Sequence, residues 1–180
     1  MSPRHLVWLL GLGTLLCLSS ACSVEQAVPI PYCDRGDSSL IVAQSVPTAD
    51  LIPCLVGLPA GWEVDAVNIN QDGTVILLDS DRAGLGSARL NYTETCKPGE
   101  AVSVPSDQDG AEALQYIEQV DLGFRAQRYY LFPGGCVWWE FEFDAGVSAT
   151  HSIELQDQLL LVSRQAVNEN IRQSFIDEEL

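Results

Sequence analysis

Residues 125–144, RAQRYYLFPGGCVWWEFEFD, carry the strongest fold signal in the chain. Aromatic and β-branched side chains favour strands, and Pro133-Gly134-Gly135 between two such runs favours a tight connection. The pattern predicts a β-hairpin in which Arg125 to Phe132 pairs with Cys136 to Asp144, so that Cys136 opens the second strand.

Successive side chains of a strand point to opposite faces of a sheet. In the second strand of this hairpin the apolar set should therefore face a core, while a polar set faces the other way. Three carboxylates in such a row could bind a calcium ion or a basic ligand, but neighbours along one strand lie roughly 6–7 Å apart, too far to share an ion unaided. A solvated outer face is the simpler interpretation. The candidate binding residues are Trp138, Glu140, Glu142 and Asp144.

A second hairpin is predicted around Asp72-Gly73, because this dipeptide readily adopts the positive φ angles of a two-residue turn. It should pair Val64 to Asn70 with Thr74 to Asp79. A further turn at Asp81 to Gly86 leads into Ser87 to Thr93, which makes a three-stranded meander. Ala111 to Val120 is interpreted as another strand.

The remaining N-terminal and central segments have weaker patterns. Leu40 to Val46 is predicted to be a strand that Pro47 ends, and Asp50 to Leu55 a brief turn-like or helical segment. Glu94 to Gly110, which is rich in proline and glycine, is predicted to be a surface loop that carries Cys96.

The C-terminal part changes character. Val147 to Gln156 and Ser163 to Phe175 are predicted to be helices, with Ser163 as N-cap of the second and the short apolar run Leu159 to Val162 between them. The predicted fold class is α+β: a mostly antiparallel sheet of meander and hairpin strands, with helices near the C-terminus.

The N-terminus has the three parts of an export signal: a basic start, an apolar run from Leu6 to Leu18, and the small residues Ser19-Ser20-Ala21. Leu18-Ser19-Ser20-Ala21-Cys22 resembles the bacterial lipobox, although that motif prefers leucine where this chain has Ser19. The resemblance implies removal of residues 1–21 and a lipid on Cys22. We expect residues 22–38 to form a lipidated tether and residues 39–180 a single domain; the plainer alternative is an ordinary signal with Cys22 as a spare thiol.

The chain is strongly acidic, with a formal net charge of −16 over its 180 residues. Such a field repels phosphate backbones and anionic lipid headgroups, so we expect no nucleic-acid partner and no electrostatic docking to membranes. Solubility at a cell surface explains the charge most simply, and binding of a cationic partner is the more specific alternative.

Four cysteines remain after the signal and the lipobox, and an even number in an oxidising compartment suits two disulfides. Three connectivities are possible. We favour the two pairs that close modest loops, Cys33 with Cys54 and Cys96 with Cys136. A metal site is disfavoured because no C-x-x-C pair occurs and His151 is the only histidine outside the signal.

Four short motifs together resemble a group of uncharacterised membrane-anchored or lipid-anchored envelope proteins from actinobacteria. They are Gln44-Ser45-Val46-Pro47, Ile52-Pro53-Cys54, Leu58-Pro59-Ala60-Gly61-Trp62, and the run from Tyr129 to Val137. The resemblance spans roughly Val42 to Arg164. It implies an envelope location and two disulfides, but no activity.

Catalytic patterns are weak. A serine triad needs a histidine base, and His151 lies in a predicted helix with no G-x-S-x-G motif in the chain.

The leading hypothesis is a non-enzymatic lipoprotein on the extracytoplasmic face of the cell membrane that binds or supports an envelope protein or glycan, with no cofactor or metal. The alternative is a carboxylate-dependent hydrolase of envelope glycans. Aromatic residues in a cleft could stack a sugar, but core packing is the commoner role for the set Trp62, Tyr129, Tyr130, Phe132, Trp138 and Trp139.

Overall fold

The computed structural model describes residues 30–33 and 36–177, which form three helices and nine strands. The helices are α1 (Gly36–Ser45), α2 (Thr150–Gln156) and α3 (Arg164–Asp177). The strands are β1 (Leu51–Leu55), β2 (Trp62–Asn70), β3 (Gly73–Ser80), β4 (Gly84–Thr93), β5 (Val102–Val104), β6 (Glu112–Gln119), β7 (Phe124–Phe132), β8 (Gly135–Phe143) and β9 (Leu159–Ser163).

Seven strands form one antiparallel sheet in the order β2-β3-β4-β8-β7-β6-β5. Both predicted hairpins are present, the β2–β3–β4 meander follows in sequence, and the predicted α+β fold with mostly antiparallel strands is confirmed. The two halves of the sheet meet where β4 pairs with β8, which places β8 near the centre.

The other two strands, β1 and β9, form a separate antiparallel ribbon with Leu51 opposite Ser163 and Leu55 opposite Leu159. The segment before α1 extends this ribbon. Leu55 donates its N–H to the carbonyl of Pro31 at 2.9 Å, and Cys33 donates to the carbonyl of Leu55 at 3.0 Å. The Cys33–Cys54 disulfide joins the same two segments covalently.

One face of the large sheet, here called the inner face, carries the core. From β8 it presents Val137, Trp139, Phe141 and Phe143, all nearly inaccessible to solvent. The core also contains buried residues of α1, the ribbon and α2, among them Val42, Ala43, Ile52, Leu55 and Leu155. These elements cover the inner face. The opposite face of the sheet is called the outer face below.

The β7–β8 turn also packs against the α1–β1 connection. Asp50 donates its N–H to the carbonyl of Pro133 at 3.0 Å, and the Thr48 hydroxyl donates to the carbonyl of Gly134 at 2.8 Å. Gly134 has a φ of +74°, and a Cβ at this position would overlap the carbonyl of Thr48. The glycine is therefore required both by the turn and by the close approach of the α1–β1 connection.

The predicted strand over Leu40 to Val46 is wrong, because these residues belong to α1 up to Ser45. Val42, Ala43 and Val46 are buried at positions i, i+1 and i+4, which is a helical spacing. The turn-like or helical prediction for Asp50 to Leu55 is also wrong, since Leu51–Leu55 is strand β1. Pairing with β9, more than 100 residues further along the chain, decides this conformation.

Two short strands were not predicted. Val102–Val104 pairs with β6 inside the expected loop over Glu94 to Gly110, and the apolar run Leu159 to Val162 lies in β9. The helix predicted over Val147 to Gln156 starts only at Thr150. In α3, Ser163 caps the first turn as predicted, because its hydroxyl accepts the N–H of Ala166 at 3.1 Å.

Both expected disulfides, Cys33–Cys54 and Cys96–Cys136, are present. The signal at residues 1–21 and the lipidation position Cys22 lie outside the described residues, as does most of the 22–38 tether. Within the described ranges, no helix has the length and apolar content needed to cross a bilayer.

Candidate functional site

The residues singled out on β8 lie where alternation placed them, on the outer face of the sheet. Trp138 and Glu140 are half-buried, Glu142 is exposed, and Asp144 is exposed just beyond the end of β8. Because β8 lies between β4 and β7, its outward side chains are flanked by outward side chains from both neighbours. Glu140 is opposite Arg89 of β4 and opposite Gln127 of β7.

Glu140 has two side-chain partners on this face. Arg89 approaches it with 3.5 Å between Nη1 and Oε2, and the Trp138 indole N–H donates to Oε1 at 3.1 Å. The Glu140 side chain is 34% exposed. It is therefore held in one orientation by two neighbours while remaining reachable from solvent.

Glu142 forms a second cross-strand pair. Arg125 of β7 donates to the same carboxylate oxygen, Oε1, through Nη2 at 2.8 Å and through Nε at 3.1 Å. The Glu142 side chain is 70% exposed, so solvent screens this pair and its contribution to stability is small. Its effect is to fix the positions of two charged groups on the open face.

Two aromatic rings adjoin these pairs. Tyr129 and Trp138 are stacked, with ring centroids 6.0 Å apart and planes 21° apart. The Tyr129 hydroxyl donates to Oε1 of Gln127 at 2.6 Å. Burial raises the pKa of the Tyr129 hydroxyl, and the negative charge of Glu140 raises it further.

These strands enclose a shallow groove of about 270 Å³ on the outer face, called the outer groove below. It offers guanidinium and amide donors, carboxylate and amide acceptors, and a phenol, all from rigid strand positions. Asp144 does not line it. The polar lining side chains of the outer groove are Arg89, Tyr116, Glu118, Arg125, Gln127, Glu140 and Glu142.

The carboxylates predicted from the sequence are all accessible to solvent: Glu142 and Asp144 are exposed, and Glu140 is half-buried beside Arg89. In the described part of the chain, no three His, Cys, Asp or Glu side chains are grouped in a way that could hold a metal ion. His151 pairs instead with Glu154 on α2, with 3.2 Å between Nδ1 and Oε2.

The arginines of the outer groove were not identified from the sequence. Arg89 and Arg125 come from strands β4 and β7, and only the pairing register brings them beside Glu140 and Glu142. The alternation of β7 and β4 is the signal that could have found them, since both arginines occupy outward positions.

A third arginine, Arg128, lies on the inner face and has a different environment. Its side chain is 13% exposed; Nη2 lies 2.7 Å from Oδ1 of Asp107, and Nε donates to the Tyr130 hydroxyl at 2.9 Å. Burial acts to raise the pKa of Asp107, but hydrogen bonds from Arg128 and Gln108 outweigh it and lower that pKa below its ordinary value. Burial also raises the pKa of Tyr130. These groups satisfy one another and serve the fold.

Beside Arg128 a cleft of about 460 Å³ separates β6 and β7 from α2. Its walls include Ile117, Phe124 and Ile153, and the two isoleucines are exposed. The predicted aromatic set divides between the two faces: Trp62, Tyr130, Phe132 and Trp139 belong to the core, whereas Tyr129 and Trp138 stack on the outer face.

Comparisons with protein-family models, with curated proteins and with solved structures found no match to this chain. The outer groove combines the hydrogen-bonding groups of paired charged side chains with one half-buried aromatic ring, that of Tyr116.

Proposed function

We propose that this protein is a lipid-anchored domain on the extracytoplasmic face of the cell membrane, and that its outer groove binds a neutral glycan of the envelope without catalysing a reaction. One observation carries the proposal. Strands β4, β8, β7 and β6 form a shallow groove on the outer face and line it with polar side chains and the phenol of Tyr116.

The charges in the groove favour an uncharged ligand. Arg89 is paired with Glu140, and Arg125 with Glu142, while Glu118 adds a further carboxylate. Two arginines against three carboxylates give no surplus of positive charge to attract an anionic polymer. Paired charges still expose oxygen and nitrogen atoms, and these can hydrogen-bond to the hydroxyl groups of a sugar ring.

Aromatic rings support the same ligand class. Sugars present C–H groups on the faces of their rings, and these pack against aromatic side chains. Tyr116 and Trp138 are half-buried on the outer face, so each presents part of its ring to solvent. Their strand positions fix them before a ligand arrives, which lowers the entropy cost of binding.

The anchor is proposed from the N-terminal motif. The lipobox-like sequence before Cys22 would direct a diacylglyceryl group onto the cysteine sulfur, and two or more acyl chains make membrane attachment effectively permanent. The two disulfides support an oxidising compartment, because such bonds persist outside the cytoplasm.

Binding is tested by titrating the isotopically labelled mature chain with neutral oligosaccharides released from the envelope, while its amide NMR signals are recorded. We expect shifts concentrated at Gln127, Glu140 and their neighbours. Tyr116→Ala should weaken binding at least about tenfold. Ile117→Ala is the matched control, because Ile117 is the next residue of β6 but lies on the inner face. Equal losses of affinity in both variants, or chemical-shift changes spread evenly over the domain, would be evidence against binding in the outer groove.

The anchor is tested separately by the intact mass of the protein purified from its native membrane. We expect a chain that starts at Cys22 and carries a diacylglyceryl group, whereas Cys22→Ser should be released into the soluble extracytoplasmic fraction. An unmodified N-terminus on the wild-type chain would refute the anchor and leave the binding measurement standing.

A further inference from the structure

We infer that the side of the domain formed by the β1–β9 ribbon rests against the lipid surface, so that the outer groove faces away from the membrane. The inference depends on the proposed anchor at Cys22, and it adds the contact surface and the orientation of the binding site. Three observations carry it: where the chain enters the fold, how far the tether reaches, and which side chains are exposed there.

The chain enters the fold at the ribbon. Pro31 and Cys33 hydrogen-bond to Leu55 at the end of β1, and the Cys33–Cys54 disulfide fixes this attachment covalently. Any restraint that a lipid imposes through Cys22 therefore acts on the ribbon side of the domain and not on the large sheet.

The tether is short. Eight peptide units separate Cys22 from Ile30, the first described residue. Whatever their conformation, eight residues span at most about 26–29 Å. The ribbon end of β1 is thus held within that distance of the lipid headgroups.

The layer order then sets the orientation. Ribbon residues Leu55, Leu159 and Leu161 belong to the core that covers the inner face of the large sheet, so the outer face lies on the far side of two layers. Packed layers are spaced by about 10 Å. Since the chain enters the fold at the ribbon, a lipid on Cys22 attaches on the ribbon side of these two layers and not on the side of the outer groove.

Apolar side chains are exposed at the point of attachment. Val56, directly after β1, is 65% exposed, and Leu160 of β9, which lies opposite Cys54, is 43% exposed. The Val56 N–H donates to the carbonyl of Gln158 at 2.8 Å, so the two strand ends that carry these side chains are joined. Exposed Asp157 directly precedes Gln158, whose carbonyl accepts that bond. This combination fits a zwitterionic lipid interface better than an anionic one.

The test couples the mature chain, with its disulfides intact, through the Cys22 thiol to a maleimide lipid in zwitterionic nanodiscs that contain a small fraction of gadolinium-chelate lipid. Chemical coupling makes the result independent of natural lipidation. Paramagnetic broadening should reduce the amide signals of Val56 and Leu160 at least about threefold more than those of Tyr116 and Gln127, because the effect falls steeply with distance from the headgroups.

A variant with Val56→Ser and Leu160→Ser isolates the apolar contact. Both side chains are exposed, so the fold should tolerate the change. We expect weaker broadening on the ribbon side than in the wild type. Broadening at Tyr116 and Gln127 that equals or exceeds that at Leu160 would overturn the orientation, and it would do so without touching glycan binding or the native anchor, which have their own measurements.

Discussion

The side-chain amide of Gln108 hydrogen-bonds to the backbone of β9 at Leu159 and Leu161, as a neighbouring strand would. Its Oε1 accepts the Leu161 N–H at 3.0 Å, and its Nε2 donates to the carbonyl of Leu159 at 3.0 Å. Gln108 is 8% exposed. The amide thereby satisfies two backbone groups on the edge of β9 that β1 does not reach.

Gln108→Ala should therefore lower the free energy of unfolding by about 1–3 kcal/mol, because it leaves a buried N–H and a buried carbonyl without partners. Urea denaturation followed by fluorescence measures this change. Gln165→Ala is the control, since Gln165 is exposed in the first turn of α3 and should change stability by less than about 0.5 kcal/mol. Similar values for both variants would show that the Gln108 amide is dispensable.

Asp107 should make stability depend on pH. Its folded-state pKa lies below the ordinary value, so the stabilisation that it contributes is present above the unfolded-state pKa and is lost as pH falls through the folded-state pKa. The difference in unfolding free energy between wild type and Asp107→Asn should be greatest near pH 6 and should shrink toward about pH 2.5. Because Asp107 is 43% exposed, solvent screens the pair, and we expect about 1 kcal/mol at the plateau.

Asp109→Asn provides the matched comparison for this pH dependence, because Asp109 lies two residues further along the same loop and is exposed. The same dependence on pH in both variants would mean that the Arg128 pair does not affect folding.

Gly134→Ala should destabilise the domain more than Gly86→Ala. Both glycines have positive φ angles, 74° and 60°, so both substitutions carry the backbone cost of about 1–2 kcal/mol. Only at Gly134 would the new Cβ meet the carbonyl of Thr48; at Gly86 nothing lies within 4 Å. The free energies of unfolding of the two variants, measured with denaturant, should differ by at least about 1 kcal/mol. Equal values would show that contact with the Thr48 carbonyl is not the reason why position 134 requires glycine.

Glu140→Gln should lower the pKa of Tyr129 relative to wild type, because the negative charge of Glu140 is the second cause of the raised value. Burial, the larger cause, remains, so the pKa should stay above that of a free tyrosine. Titration of ¹³Cζ-labelled tyrosine by NMR resolves the individual rings. An unchanged Tyr129 titration would place Glu140 too far from the phenol to influence it.

The sequence predicted the hairpins well because their signals are local. Asp72-Gly73 and Pro133-Gly134-Gly135 define turns, and the flanking alternation defines which side chains face the core. The burial of Trp139, Phe141 and Phe143 and the outward position of Glu140 follow from that alternation alone.

Helix α1 was predicted to be a strand because most residues in this segment are apolar. Leu40 to Val46 contains five apolar residues in seven, and short apolar runs suit a strand as well as a helix. Burial of Val42, Ala43 and Val46 arises from packing against other elements, so the sequence pattern alone could not decide between the two.

Strand β1 was missed because its partner is distant and Pro53 lies in its middle. In an antiparallel ladder, hydrogen-bonded and non-hydrogen-bonded residue pairs alternate. Leu161 donates its N–H to Gln108, so Pro53 and Leu161 form a non-hydrogen-bonded pair, and the absent N–H of proline removes no bond to β9.

Only the two glutamates of the outer groove were predicted from the sequence. Arg89 and Arg125 lie beside Glu140 and Glu142 because of the strand register and not because they are close in sequence.

The pairing of β1 with β9 also determines when the domain can be completed. Leu51 meets Ser163 only after nearly the whole polypeptide is available, so a chain emerging from a ribosome or a translocation channel cannot close the ribbon early. Long-range pairing of this kind is slow to form, so we expect the ribbon to close after the hairpins of the large sheet, whose strands are neighbours in sequence.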